Sequence, residues 1–141
     1  MCVVYANASG VPLKMLLIVD TDILIDAGRS VQEAIDFLQQ NEQRTTLAAS
    51  AITQMELLIG ARNKRELRVI EKFVARFVVM KVNEVVSDTA VDLLRQYRLS
   101  HGLAIADAVI AATAIVADEP FVTKNRRDYQ FIPELKLQSY P

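Results

Sequence analysis

Four carboxylates stand where solvated surface acids are not expected. Asp20 closes the apolar run Leu16-Leu17-Ile18-Val19. Glu56 interrupts the apolar stretch from Ala51 to Ala61, and Asp107 lies in the most hydrophobic stretch of the chain. Asp128 follows Phe121-Val122-Thr123 in a polar segment that also holds Asn125. A buried carboxylate is costly unless it meets a cation or several hydrogen bonds. Singly, each acid has an ordinary explanation. Asp20 could cap a helix, Glu56 could lie on a wet helix face, Asp107 could favour the dipole of a first helical turn, and Asp128 could shape a turn. Their joint order says more than any one of them. Carboxylates converging without His or Cys suit a hard divalent cation, which takes one or two of them directly and keeps several waters. Such sites do phosphoryl chemistry, by activating water and compensating charge on the phosphate.

The elements that must position these acids can be read in order. Leu16 to Val19 is apolar without alternation, the pattern of a strand buried on both faces of a parallel sheet. Parallel sheets place their chemistry beyond the carboxyl ends of the strands, which is where Asp20 falls. Ser30 and Glu33 have the spacing of a capping box, predicting a helix with Val31, Ala34, Ile35 and Leu38 on its apolar side that ends near Asn41. Leu47-Ala48-Ala49 predicts a second strand. Ser50 then caps a helix over 51–61, with Ile52, Met55, Leu58 and Ile59 as its buried stripe. A basic helix is expected from about Lys64 to Arg76 and a third strand over 77–82. A long helix over 84–100 carries Val85, Ala90, Leu93, Leu94 and Tyr97, and His101-Gly102 ends it. The stretch from Leu103 to Ala117 is apolar but for Asp107 and Thr113, and its alanines favour a central helix packed on several sides. Phe121-Val122-Thr123 is a fourth strand, and the alternating tail over 135–140 is a candidate edge strand. Strands alternating with helices predict an α/β domain with a mostly parallel sheet of four to five strands flanked by helices.

Composition narrows the class. The chain has 141 residues, 52% hydrophobic and 23% charged, enough for one domain with a sizeable core and too apolar for disorder. No apolar run reaches the ~18 residues of a membrane span. The single cysteine, Cys2, excludes an internal disulfide and a Cys-based zinc site; the single histidine, His101, excludes a two-histidine mechanism. A net charge of −1 gives no global attraction to nucleic acid, so any such binding rests on local patches. This composition fits a reducing cytoplasm. Residues 1–14 lack the basic and apolar regions of a signal peptide and read as a loose extension, with Met15 a candidate start and 15–141 as the domain.

Four segments together resemble the PIN domain, in particular the VapC-type toxins of bacterial toxin–antitoxin pairs. They are Leu17-Ile18-Val19-Asp20-Thr21-Asp22-Ile23-Leu24, Ser50 to Ala61 around Glu56, Ile105-Ala106-Asp107-Ala108 with the following run to Ala114, and Val122-Thr123-Lys124-Asn125-Arg126-Arg127-Asp128-Tyr129. The resemblance implies an endoribonuclease dependent on Mg²⁺ or Mn²⁺. It implies Asp20, Glu56 and Asp107 as the acidic, metal-holding core, Asp128 as a more variable fourth acid, and Thr21, Thr123 and Asn125 as hydrogen-bonding support. It also implies a homodimer and a cognate antitoxin. Asp22 stands where the family more often has Asn, which makes it a helix-start residue; Tyr129 stands where Phe is usual, and Lys124 replaces a common Arg. Asp26 is expected at the surface.

An acidic site that cuts a phosphate backbone needs basic rims. Arg62 and Lys64 after Glu56, with Lys124 and Arg126 beside Asp128, are the candidates to hold RNA phosphates. The same Lys64–Lys72 run can equally be a solvated helix face with Glu66 and Glu71 as partners. Two other functions are compatible with parts of the chain. Asp20-Thr21-Asp22 after an apolar strand also resembles the nucleophile motif of haloacid-dehalogenase-type phosphatases, with Asp20 attacking phosphorus, although Glu56 would then have no role. A PIN-like fold that binds a partner or RNA without cutting is the third reading.

Overall fold

In the computed structural model, which describes residues 15–141, the apolar run that ends in Asp20 is the middle strand of the sheet. Strand β1 (Leu16–Val19) pairs with β2 (Thr46–Ser50) on one side and β4 (Phe121–Val122) on the other, both parallel. Strand β3 (Val78–Met80) extends the sheet beyond β2 and β5 (Leu137–Gln138) beyond β4, giving the all-parallel order β3-β2-β1-β4-β5. Side chains alternate along β1 as the pleat requires. Leu16 and Ile18 enter one core cluster, and Leu17 and Val19 the other. Both faces are covered, so all four residues are buried and no polar alternation is possible.

Among the described residues, six α-helices connect the strands: α1 (Thr21–Gly28), α2 (Gln32–Glu42), α3 (Ala51–Ile59), α4 (Lys64–Val74), α5 (Glu84–His101) and α6 (Ile105–Ala117). Ile23 and Leu24 of α1 and Ala34, Phe37 and Leu38 of α2 pack on the face that Leu17 and Val19 present. The opposite face carries α5 and α6. The small residues of α6 let it sit at the centre: Ala108, Ala111, Ala112 and Ala114 are all almost completely buried. The apolar surround holds for the middle of this helix, while Ile105 at its start is 75% exposed. Gly102 ends α5 with a left-handed φ of 68°, a conformation that costs glycine little. No helix among the described residues is long and apolar enough to cross a membrane. The expected extension over 1–14 lies outside the described residues.

Several local expectations are corrected. Ser30 does not cap α2: it adopts φ 63° inside the turn that ends α1, donating its N–H to the Ala27 carbonyl, and the uncapped Val31 precedes the helix instead. The turn uses Ser30 before the helix can. In α3 the expected stripe is out of phase. Met55 and Ile59 are 54% and 83% exposed, while Ala51 and the polar Thr53 are buried, because this helix turns its polar side toward the end of β1. In α5 the buried residue of the first turn is Val86, and Val85 faces outward. Asn63 and Asn83 cap α4 and α5 by accepting from Glu66 and Val86 N–H.

The close seat of α6 is testable. Replacing Ala111 by Leu overfills it and is expected to lower unfolding free energy by about 1–3 kcal/mol. Glu134→Gln, at an exposed position, is expected to stay within about 0.5 kcal/mol of the wild type in a urea titration.

Candidate functional site

The direction of the chain reverses across β1. From β1 the chain builds outward through β2 and β3, then returns to the other side of β1 for β4. The carboxyl ends of β1 and β4 therefore flank a topological switch point, where open α/β sheets bind ligands. Asp20 occupies it. Its N–H donates to the Val122 carbonyl at 2.9 Å, continuing the β1–β4 ladder by one residue. Its backbone is extended, and its Oδ1 accepts from the Thr21 N–H at 2.9 Å, so Asp20 is indeed the N-cap of α1. The cap aims the carboxylate rather than using it up. Oδ2 accepts from the Thr123 hydroxyl at 2.8 Å, Oδ1 also accepts from the Tyr129 hydroxyl at 3.2 Å, and the residue is 6% exposed.

The other elements converge on this point. Asp107, half-buried in the first turn of α6, accepts from the same Tyr129 hydroxyl at 3.0 Å. Thr21 donates its hydroxyl to Glu56 Oε1 at 2.8 Å and touches the buried Thr53 hydroxyl at 2.9 Å. Thr53 and Glu56 lie three residues apart and so share one face of α3. Asp22 is in the first turn of α1 as expected, but its Oδ2 also reaches the Thr123 hydroxyl at 3.3 Å. Asn125 supports the site through its backbone, donating N–H to Thr123 Oγ1 at 3.0 Å. Asp128 closes a 3₁₀ turn over Arg126–Asp128 and is exposed.

The electrostatics are one-sided. Burial, then the charges of Asp22 and Asp107, push the Asp20 carboxyl from 3.8 to about 7, against the Thr123 and Thr21 hydrogen bonds. Asp107 is also raised, first by burial and then by Asp128, Glu56 and Asp22. Burial and the carboxylates of Asp20 and Asp107 hold the Tyr129 phenol far above its ordinary range, so it stays a proton donor. The charges that raise Asp20 and Asp107 are carboxylates, Asp22 among them for both. The basic candidates stand further out, all exposed. Arg62 pairs with Glu66 at 2.7 Å and Lys124 with Asp26 at 2.8 Å, Arg126 reaches the Gln138 carbonyl at 3.5 Å, and Lys64 begins α4. The exposed Arg62–Glu66 pair holds weakly, whereas Asp26, expected at the surface, is only 17% exposed in its pair with Lys124.

The donor set fits a divalent cation in a particular way. Asp20 and Asp107 are close enough to share one hydroxyl, and they offer hard oxygen ligands in a region of uncompensated negative charge. Among the described residues, no three His, Cys, Asp or Glu side chains are grouped tightly enough to hold a metal ion as they stand. The expected trio of Asp20, Glu56 and Asp107 is thus not assembled as one ligand set. Glu56 is exposed, and the Thr21 hydroxyl holds one of its oxygens. Asp22 and Tyr129 belong to the site more fully than their sequence reading suggested. A buried tyrosine needs a partner for its hydroxyl, and that is the signal in the residue type.

An acidic switch-point site on a five-stranded parallel sheet has known counterparts. The PIN domain family model matches residues 17–132. The chain is 35% identical over 122 residues to ribonuclease VapC10 of Mycobacterium tuberculosis, covering 86% of this chain and 91% of that protein. It is 36% identical to ribonuclease VapC19 of the same organism, over 84% of this chain and 96% of that one. A toxin–antitoxin complex from Klebsiella pneumoniae superposes with a TM-score of 0.72 at 27% identity, covering 87% of this chain and 96% of that chain. The chain belongs to the PIN domain family, as a ribonuclease of the VapC type. The phosphatase reading of Asp20-Thr21-Asp22 falls with that assignment.

The raised Asp20 has a thermodynamic consequence. A carboxyl that holds its proton more tightly when folded contributes stability below its unfolded value near 3.8, and that contribution is lost as pH rises through about 7. Protein stripped of divalent ions with EDTA is therefore expected to lose a few kcal/mol of stability between about pH 4 and about pH 7. Asp20→Asn, neutral throughout, is expected to flatten that loss. Parallel pH profiles for the two proteins by chemical denaturation would expose the error.

Proposed function

We propose that this chain is the endoribonuclease toxin of a toxin–antitoxin pair, hydrolysing RNA phosphodiester bonds with Mg²⁺ or Mn²⁺ at the Asp20–Asp107 pair. The observation that carries the reading is that pair itself: two carboxylates at the switch point, joined through one hydroxyl, with further carboxylates close enough to raise both. Asp20 and Asp107 would hold the cation, with Asp22, Glu56 and Asp128 adding negative charge around it. When bound, the cation supplies Lewis acidity toward water and the phosphate oxygens. The protein's part is positioning. Thr123 and the Thr21 N–H fix the Asp20 carboxylate, Tyr129 fixes Asp107 relative to it, and Thr21 holds Glu56 at the rim. Lys64, Arg62, Arg126 and Lys124 would take the flanking phosphates, and the RNA strand would displace Glu66 from Arg62 and Asp26 from Lys124.

A cognate antitoxin is the expected protein partner, supported by the complex whose toxin this chain resembles. An apolar groove of about 390 Å³ lies between α1, α2 and α4, lined by Ile35, Leu38, Val69, Ile70 and Phe73 with Arg76 at its edge. Its character suits an apolar segment of such a partner. A homodimer is also proposed; the exposed Leu99 and Ile105, on either side of the Gly102 turn, are apolar surface that a second copy could cover.

The test is direct. Purified protein is expected to cut RNA with Mn²⁺ and to stop when EDTA is added. Asp20→Asn and Asp107→Asn are each expected to lower cleavage at least about 100-fold with the far-ultraviolet circular dichroism unchanged. Cleavage that survives both substitutions, or survives EDTA, would reject the mechanism. Growth arrest on induction of the wild type, absent for Asp20→Asn, would separate a toxin from a housekeeping nuclease.

A further inference from the structure

The Tyr129 hydroxyl sits between the two carboxylates on which the proposed metal chemistry rests, and the inference here rests on that reading. The phenol has one proton and two acceptors, Asp107 Oδ1 at 3.0 Å and Asp20 Oδ1 at 3.2 Å. The ring is fixed in place, and only its hydroxyl bond can be given up. The residue is 1% exposed, and its ring packs edge-on against Phe121 with centroids 4.8 Å apart. Of the donors to Asp20, the Thr21 N–H belongs to the helix cap and the Thr123 hydroxyl takes the other oxygen. Tyr129 alone among these donors also bonds Asp107. A phenylalanine would fill the same space and leave the two carboxylates facing each other with no donor between them.

We propose that the Tyr129 hydroxyl is a placeholder: it bridges Asp20 and Asp107 in the cation-free protein, gives up that bridge when a divalent cation binds, and so sets the cation affinity. A cation and a hydroxyl donor seek the same lone pairs. Once a cation draws on those oxygens, their bond to the phenol weakens, so Tyr129 stabilises the cation-free state more than the loaded one. Any group with that preference lowers affinity by the difference. Hydrogen bonds to charged groups are among the stronger ones, so the difference is expected to reach about tenfold in affinity. Tyr129 is thus a positioning residue that keeps the acidic pair assembled between cation-binding events and leaves the site able to exchange its metal.

Isothermal titration with Mn²⁺ alone, on the full chain and without RNA, tests this. Tyr129→Phe is expected to bind Mn²⁺ about tenfold more tightly than the wild type. It is also expected to melt at a lower temperature in EDTA, while the two proteins melt together at saturating Mn²⁺. Unchanged or weaker Mn²⁺ binding by Tyr129→Phe overturns the placeholder. A second measurement stands without the substitution: the ¹³Cζ resonance of labelled Tyr129 in the wild type is expected to shift on adding Mg²⁺, and a stationary resonance at saturation overturns the proposal. The Asp20→Asn variant is expected to lose Mn²⁺ binding. A wild type that binds no Mn²⁺ rejects the metal reading and the placeholder together, whereas normal wild-type binding with an indifferent Tyr129→Phe rejects the placeholder alone.

Discussion

Repulsion between carboxylates is the constraint around which this molecule is built. Asp20 is nearly buried, and Asp22 and Asp107 press on it with the same sign of charge. A cluster of that kind opposes folding unless rigid donors hold each oxygen. The fold supplies those donors from separate elements: the Thr21 N–H at the start of α1, the Thr123 hydroxyl just after β4, and the Tyr129 hydroxyl after the 3₁₀ turn. The helix N-terminus that caps on Asp20 is one source of this support, and the first turn of α6 that carries Asp107 adds a favourable dipole.

The sheet makes that convergence possible. Because β1 and β4 are parallel neighbours in register at Val19 and Val122, Asp20 and Thr123 emerge side by side from the same edge. The alanine-rich α6 can approach closely enough to bring Asp107 to the same point, since its side chains take little room. Function and packing pull in opposite directions on α3. The helix presents Thr53 and Glu56 toward Thr21 and leaves Met55 and Ile59 in solvent. Apolar surface abandoned in this way is available for association.

Much of this was legible before any coordinates. The unalternating run Leu16–Val19 can only be satisfied by a strand covered on both sides, and it is so covered. The stretch 84–100 carries an apolar stripe and His101-Gly102 a stop, and α5 follows them, while its cap at Asn83 went unread. The reading failed where two local solutions were nearly equal. Ser30 and Glu33 form a good capping box, but the turn ending α1 reached Ser30 first. The stripe in α3 was phased by hydrophobicity alone, and a requirement for polar contacts at the site rotated it. Asp22 belongs to the helix start by its backbone, and its carboxylate reaches across to Thr123, which no neighbour in sequence announces.

By itself, the sequence determined which residue types were available and in what order. There were acids with no histidine to help them, strands alternating with helices, and an alanine-rich helix destined for the centre. These are properties of neighbours along the chain, and propensity and periodicity act over a few residues. Only the tertiary structure decided which acids meet. Asp20 and Asp107 are separated by most of the chain, and whether one hydroxyl can bond both depends on where β1, α6 and the turn before Tyr129 stand relative to one another. Glu56 shows the same rule from the other side. Its sequence neighbourhood is that of a ligand, yet Thr21 holds it at the rim, because hydrogen bonds are settled by distances of a few tenths of an ångström that only the packed chain sets.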